Sequence, residues 1–328
     1  INFTGEHMKS LKNKRVLVTG GAGFIGSHLV DRLILEEPTA IAVVDNFFLG
    51  KEENLEEALK VRPDLEIFRL DASDLAAMRD LTEQQKIEVV FNLAVIPLPT
   101  SLEYPLWTVN TNIGIALAFC ELARTHCIET LIHCSSSEAY GSAEVIPMDE
   151  DHPAHPRTPY AASKLAGDEL VLSYVRTFGI DAAVARPFNN YGPRQNPGRY
   201  AGIIPIVVRK IKRNEPIEIY GDGEQTRDYI FVKETADGFV KTYQHEASRG
   251  RVLNLATGKE ITINQLVARM LEVLGKPNYP VVHVKERMGD VRRHCGDIGL
   301  ARQLIEFSPS VMPEDGLRET AKWYFERL

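Results

Sequence analysis

Cysteine is scarce in this 328-residue chain: Cys120, Cys127, Cys134 and Cys295 are the only four, with no C-x-x-C pair among them. That argues against a disulfide framework and against the common zinc spacings, so interior free thiols and no metal are expected. No run approaches the roughly 18 consecutive apolar residues of a membrane helix, and residues 1–7 lack the charged-then-apolar order of a signal peptide. A cytoplasmic protein is expected, and the residues ahead of Met8 are left out of fold reasoning. Positive charge is not in excess either: 38 basic against 45 acidic residues leave a net charge of -7, with no basic run. This speaks against nucleic-acid binding or a polybasic membrane anchor, and for small molecules and a second copy of the chain as partners. Repeats and low-complexity segments are absent, and 44% apolar content over this length suffices for a large core and more than one average domain.

What is present is a glycine loop. The apolar run Arg15-Val16-Leu17-Val18 leads into Thr19-Gly20-Gly21-Ala22-Gly23-Phe24-Ile25-Gly26, which reads as strand, tight turn and helix. Gly20 and Gly23 let the backbone approach a pyrophosphate, Gly26 lets the helix pack on the strand, and the helix N-terminus faces the phosphates. A dinucleotide is the expected ligand. A second apolar run, Ile41-Ala42-Val43-Val44, ends in Asp45, where a carboxylate meets ribose hydroxyls and favours NAD over NADP. Further strands are expected at 66–70, 89–94, 130–135 and 182–186, alternating with helical patterns. That alternation predicts an α/β fold, a Rossmann-type doubly wound parallel sheet, with ligands beyond the carboxyl ends of the strands.

Those ends carry Asp71, Asn92-Leu93-Ala94, Ser135-Ser136-Ser137-Glu138 and Pro187-Phe188-Asn189-Asn190. Chemistry is expected at Tyr160-Ala161-Ala162-Ser163-Lys164, where four-residue spacing puts Tyr160 and Lys164 on one helix face. A neighbouring ammonium and a positive nicotinamide ring favour the phenolate, making Tyr160 a usable base with Lys164 as its tuner. His133, inside Leu131-Ile132-His133-Cys134, reads as a core histidine rather than a base.

The chain resembles the extended short-chain dehydrogenase/reductase family, specifically its NAD-dependent nucleotide-sugar epimerases and dehydratases. The resemblance rests on Thr19 to Gly26, Asp45-Asn46, Asn92-Leu93-Ala94, Asn110-Thr111-Asn112, Ser135 to Gly141, Tyr160 to Lys164, Arg186 to Pro193 and Gly221 to Tyr229. It implies that Ser136 hydrogen-bonds the sugar O4, Tyr160 takes its proton, Lys164 also holds the nicotinamide ribose, and C4 passes hydride to NAD. For the cofactor it implies Gly20, Gly23, Phe24, Ile25 and Gly26 around the pyrophosphate and Asp45 and Asn46 at the adenosine ribose. Asp71 and Ala72 fall beside adenine, and Leu93, Ala94, Asn110 and Pro187 along the dinucleotide. Arg227 and Arg287 match its phosphate-binding arginines and Asn189 its substrate-contacting asparagine; without the family, each arginine reads as a surface residue. Arg199 suits a substrate carboxylate or a surface loop.

Within the family, Glu138 matches the C5 base of 4,6-dehydratases, while Ser137 stands where many of them carry an aspartic acid. A serine hydroxyl is a poor general acid. The expected activity is therefore a nucleotide-sugar 4,6-dehydratase, with a C6 decarboxylase or a C4 epimerase as alternatives. A reductase consuming free NAD(P)H and a non-enzymatic dinucleotide sensor are more distant. The expected organisation is an NAD-binding Rossmann domain over residues 8–190, rejoined by segments around 228–256, and a mainly nucleotide-sugar-binding domain over 191–328. The resemblance further implies a homodimer paired through the helices containing Asn112 to Ala123 and Lys164 to Val175.

Overall fold

The computed structural model describes residues 8–198, 202–286 and 291–327. The first half runs β1 (Arg15–Thr19), α1 (Phe24–Ile34), β2 (Ala40–Val44), α2 (Glu56–Val61), β3 (Glu66–Phe68), α3 (Leu75–Gln84), β4 (Val89–Asn92), α4 (Leu98–Ser101), α5 (Pro105–Arg124), β5 (Thr130–Cys134), α6 (Pro159–Phe178) and β6 (Asp181–Pro187). Then come β7 (Asn189–Tyr191), α7 (Ile203–Lys212), β8 (Ile217–Tyr220), β9 (Thr226–Arg227), β10 (Tyr229–Phe231), α8 (Val232–Gln244), β11 (Val252–Leu255), β12 (Ile261–Thr262), α9 (Ile263–Val273), β13 (Val281–Val284), α10 (Gly299–Ile305) and α11 (Pro313–Arg327).

Seven strands form one sheet in the order β11-β6-β5-β4-β1-β2-β3, and every pairing is parallel. Such strands are covered on both faces and read as unbroken apolar runs, as in Val16-Leu17-Val18 and Val89-Val90-Phe91, all fully buried. One face packs against α1, α8 and α10 through Leu29, Phe239 and Ile305, the other against α3, α5 and α6 through Met78, Phe119 and Val171. A third core joins α7, α9, α11 and β8 around Val207, Met270, Tyr324 and Ile217. Strand order reverses between β1 and β4, which opens the crevice where doubly wound sheets bind ligands.

β6 runs one residue beyond its expected bounds at each end, whereas β3, β4 and β5 stop short of their expected ends, at Phe68, Asn92 and Cys134. The residues that follow leave the ladder to form the crevice. The Pro-containing stretch after β4 contributes the short helix α4, entered from Pro97. Among the described residues α5 alone is long and apolar enough to cross a membrane, yet half of its apolar window is buried in the protein. Of the four free thiols, Cys120, Cys134 and Cys295 are buried, whereas Cys127 is partly exposed.

Candidate active site

A cleft of about 680 Å³ runs along the carboxyl ends of the strands. At one end the glycine loop forms a cradle. Gly20 has φ +66°, and a Cβ there would stand 2.9 Å from the Ala94 nitrogen; one on Gly26 would stand 2.1 Å from the Gly20 carbonyl. Side chains at either position would fill the space through which loop, β4 and α1 meet. Asp45, 7% exposed, accepts hydrogen bonds from the Ala22 and Phe47 amides at 3.0 and 2.8 Å. Burial pushes its carboxyl above the usual range, against the pull of those amides. Asn46, Asp71 and Ala72 line the cleft beside it, and Phe24, Ile25, Leu93 and Ala94 line its middle. These residues fit a dinucleotide: a close-approach backbone at a helix N-terminus, then a carboxylate at the next strand end.

A polar seam fixes the floor. The Thr19 hydroxyl receives the Leu93 and Ala94 amides, both at 3.1 Å, and donates to Asn92 Oδ1 at 2.8 Å. Asn92 Nδ2 in turn meets His133 Nδ1 at 3.1 Å. Burial, with the charge of Lys164, holds His133 well below the usual histidine range. It is a neutral tie between β4 and β5.

The other end gathers Ser136, Glu138, Tyr160, Lys164, Pro187 and Asn189. Thr158 caps α6 by accepting the Ala161 amide at 3.1 Å, and Pro159 occupies the first turn, so Tyr160 enters the cleft from an ordered helix start. One turn later Lys164, 5% exposed, donates to the Cys134 carbonyl. Burial raises the Tyr160 phenol above its usual range; the Ser136 hydroxyl bonded to it pulls the other way, and the Glu138 and Asp168 charges add to the rise. Ser136 is thus bonded to the Tyr160 phenol, and the Glu138 charge is felt there.

Several expected residues are placed elsewhere. Ser137, expected with the catalytic group, is 3% exposed and turned away from the cleft, because it lies on the inner side of the short 3-10 turn Ser137–Tyr140. Asn110, expected along the dinucleotide, is exposed on the outside of α5. Arg227 does not line the cleft but stands behind it, donating to the Val291 carbonyl at 2.6 Å, and its charge reaches His294. Arg199 and Arg287 lie outside the described residues.

Asn112 was missed as a site residue. Its side chain receives the Ile96 amide at 2.8 Å, donates to the Ile96 carbonyl at 3.1 Å, and donates to the Ser163 hydroxyl at 2.9 Å. It pins the loop after β4 to the helix of Tyr160. The buried pair Asp168–Arg186, 2.6 Å apart, was also missed. Asp168 accepts from the Ser135 hydroxyl at 2.6 Å, and Arg186 lies over the Tyr140 ring at 4.3 Å, so the pair holds the serine loop from beneath. Both residues stand in helical or strand patterns that read as ordinary packing. Among the described residues no group of three or more His, Cys, Asp or Glu gathers to hold a metal.

The family model described as NAD dependent epimerase/dehydratase family matches residues 16–256. A UDP-glucose 4-epimerase from Mycolicibacterium smegmatis is 34% identical over 312 residues, 94% of this chain and 98% of that protein. A dTDP-glucose 4,6-dehydratase from Actinoplanes is 33% identical over 317 residues, covering 94% and 97%. UDP-glucuronic acid decarboxylase 6 of Arabidopsis thaliana follows at 32%, covering 93% and 87%. Among solved structures, a UDP-N-acetylglucosamine 4-epimerase from Methanobrevibacter ruminantium in complex with UDP-N-acetylmuramic acid shares 35% identity at TM-score 0.90, over 97% of this chain and all of that one. Matched along nine-tenths of its length by enzymes named for three different nucleotide-sugar reactions, this chain is an NAD-dependent enzyme of the extended short-chain dehydrogenase/reductase type and belongs to the NAD dependent epimerase/dehydratase family.

Proposed function

We propose that this enzyme is a nucleotide-sugar 4,6-dehydratase working through a C4 ketone. The observation that carries the reading is Glu138: a carboxylate lining the cleft, on the same turn as Ser136 and close enough to act on the Tyr160 phenol. Gly20, Gly23, Gly26, Asp45 and Lys164 would hold NAD, which would accept the C4 hydride and return it to C6 once water has left, with a proton going back to C5, so that the cofactor ends each turnover oxidised. Ser136 bonds O4 and Tyr160 removes its proton as C4 gives up hydride. The ketone acidifies the C5 hydrogen, and Glu138 takes that proton. The proton for the departing C6 hydroxyl is then best supplied by the newly protonated Glu138, since Ser137 is buried away from the cleft. Asn189 holds the substrate end, Arg287 is proposed at its diphosphate with Arg227 behind the cleft, and Arg199 is proposed for a substrate carboxylate.

Relatives named as decarboxylases support a second reading, in which the same ketone draws electrons from a departing C6 carboxylate. Relatives named as epimerases favour a third, needing no C5 base. Glu138→Gln separates them: it stops water loss in a dehydratase while hydride transfer at C4, read by absorbance of the reduced cofactor, persists. Undiminished product from this variant contradicts the role.

We read the seven-stranded sheet as the cofactor half and the core around α7, α9 and α11 as the nucleotide-sugar half. A cytoplasmic homodimer is part of the same reading. It is supported by Leu106 at 75%, Trp107 at 42% and Leu117 at 40% exposure on α5, an apolar face that a second copy would cover.

A further inference from the structure

We propose that His294 is a positioning residue: as a neutral ring protonated on Nε2, it ties the Ser137 carbonyl to the Asn189 side-chain amide, setting the spacing between the loop of Ser136 and Glu138 and the opposite wall of the cleft. The importance of that spacing rests on the proposed catalytic roles. The placement itself rests on geometry. His294 is 2% exposed, and its backbone carbonyl accepts the Asp228 amide at 2.9 Å, while the Asp228 carbonyl accepts the Asn189 amide at 3.1 Å. Its ring stacks on Phe188 with centroids 5.0 Å apart. Nε2 lies 3.2 Å from the Ser137 oxygen and Nδ1 3.5 Å from Asn189 Nδ2.

The chemistry of the two partners sets the proton. A backbone carbonyl can only accept, so Nε2 carries the hydrogen and Nδ1 presents a lone pair. The Asn189 amide then turns its NH2 group toward His294, which leaves its carbonyl oxygen on the other side, as an acceptor for a hydroxyl or N–H of the ligand. A second proton on the ring would set donor against donor at Nδ1. Burial, and then the charge of Arg227, disfavour that proton and lower the ring to about 4, with His152 adding to the effect and the Ser137 carbonyl opposing it. The tie therefore stays in one state through the neutral range. It spans segments about 105 and 157 residues apart in sequence, which is why no local pattern announces it.

Two measurements on the NAD-bound enzyme test this. With 15N-labelled histidine, the His294 signals, assigned by their loss in whichever His294 variant folds, are expected to report a protonated Nε2 and an unprotonated Nδ1, unchanged between about pH 5.5 and 8.5. An Nδ1–H tautomer, or titration in that range, overturns the proposal. In kinetics, His294→Phe keeps the stacking and removes both polar contacts. It is expected to lose about tenfold to a hundredfold in kcat, with a smaller rise in KM through Asn189 and a modestly lower thermal midpoint from the unpaired Ser137 carbonyl. His294→Gln, whose amide still donates to Ser137, recovers part of the loss. Full kcat in His294→Phe overturns the positioning role. If the wild-type enzyme turns over no nucleotide sugar, the proposed function fails, and the NMR result still decides the tie.

Discussion

In the proposed reaction Tyr160 carries the largest chemical burden of any single residue. Burial holds its phenol protonated, with Cys134, Glu138 and Asp168 adding to the effect and the Ser136 hydroxyl opposing it. Ionisation near neutral pH therefore needs the positive nicotinamide ring of bound NAD and the Lys164 ammonium. Tyr160→Phe is expected to cut kcat by about a thousandfold while leaving copurifying NAD unchanged; a variant with ordinary turnover would remove Tyr160 as the base. A base must be deprotonated to act, so kcat/KM falls as pH is lowered through its pKa. Lys164→Met, which removes the cation, should move that fall to higher pH, and an unmoved profile contradicts the tuning role. Spacing makes Tyr160 and Lys164 legible in sequence, because four residues bring side chains back to one helix face. The same rule explains two misplacements. Asn110 and Asn112 are two residues apart and so face opposite sides of α5, with Asn112 inward and Asn110 outward. Ser137 sits between two cleft residues on a tight turn, and adjacency in sequence does not say which side of a turn a residue takes.

At the scale of elements, α6 is the carrier of the chemistry, and its supports are measurable. Thr158→Ala removes the cap over Ala161 and should cost about 1 kcal/mol of stability, read by denaturant midpoint. Asp168→Asn leaves Arg186 buried without a charged partner and should cost about 3–5 kcal/mol, far more than the cap. The loop from β5 to α6 adds a pH dependence. Glu150, which accepts the Asn254 amide of β11 at 2.8 Å, is pushed up to about 7 by burial, with Asp297 adding to the rise. The folded protein thus binds a proton there that the unfolded chain releases near pH 4.5, so this group costs stability as pH rises from about 4.5 to 7. Glu150→Gln keeps the acceptor without the charge. Its thermal midpoint should match wild type near pH 4.5 and exceed it by a few degrees at pH 8; equal midpoints at both contradict the account. Strand existence was legible from apolar runs, but strand ends were not. Leu93 and Ala94 continue the apolar run of β4 past its end at Asn92, and the Ala94 amide turns from the ladder to the Thr19 hydroxyl.

For the whole molecule, the parallel sheet followed from alternation of strand and helix, and the cofactor from one glycine loop and one carboxylate. The seven-strand order needed the structure, since β11 joins β6 from 65 or more residues away, a pairing that no local pattern records. The reaction was least legible, because relatives named for epimerisation, dehydration and decarboxylation share this architecture at nearly equal identity. What divides those chemistries is the group over C5 and C6, a matter of one or two side chains rather than of the fold. The proposed dimer is testable at this scale too: the wild type should sediment as a dimer and Leu117→Lys, on the exposed face of α5, as a monomer, and a monomeric wild type or an unshifted variant contradicts that interface. The central claim is tested most directly by product mass spectrometry after incubating the enzyme, without added reductant, with UDP-, dTDP- and GDP-linked hexoses, N-acetylhexosamines and hexuronates. The account predicts loss of one water from a hexose or N-acetylhexosamine substrate; loss of carbon dioxide from a hexuronate, or unchanged mass with inverted C4, would contradict it.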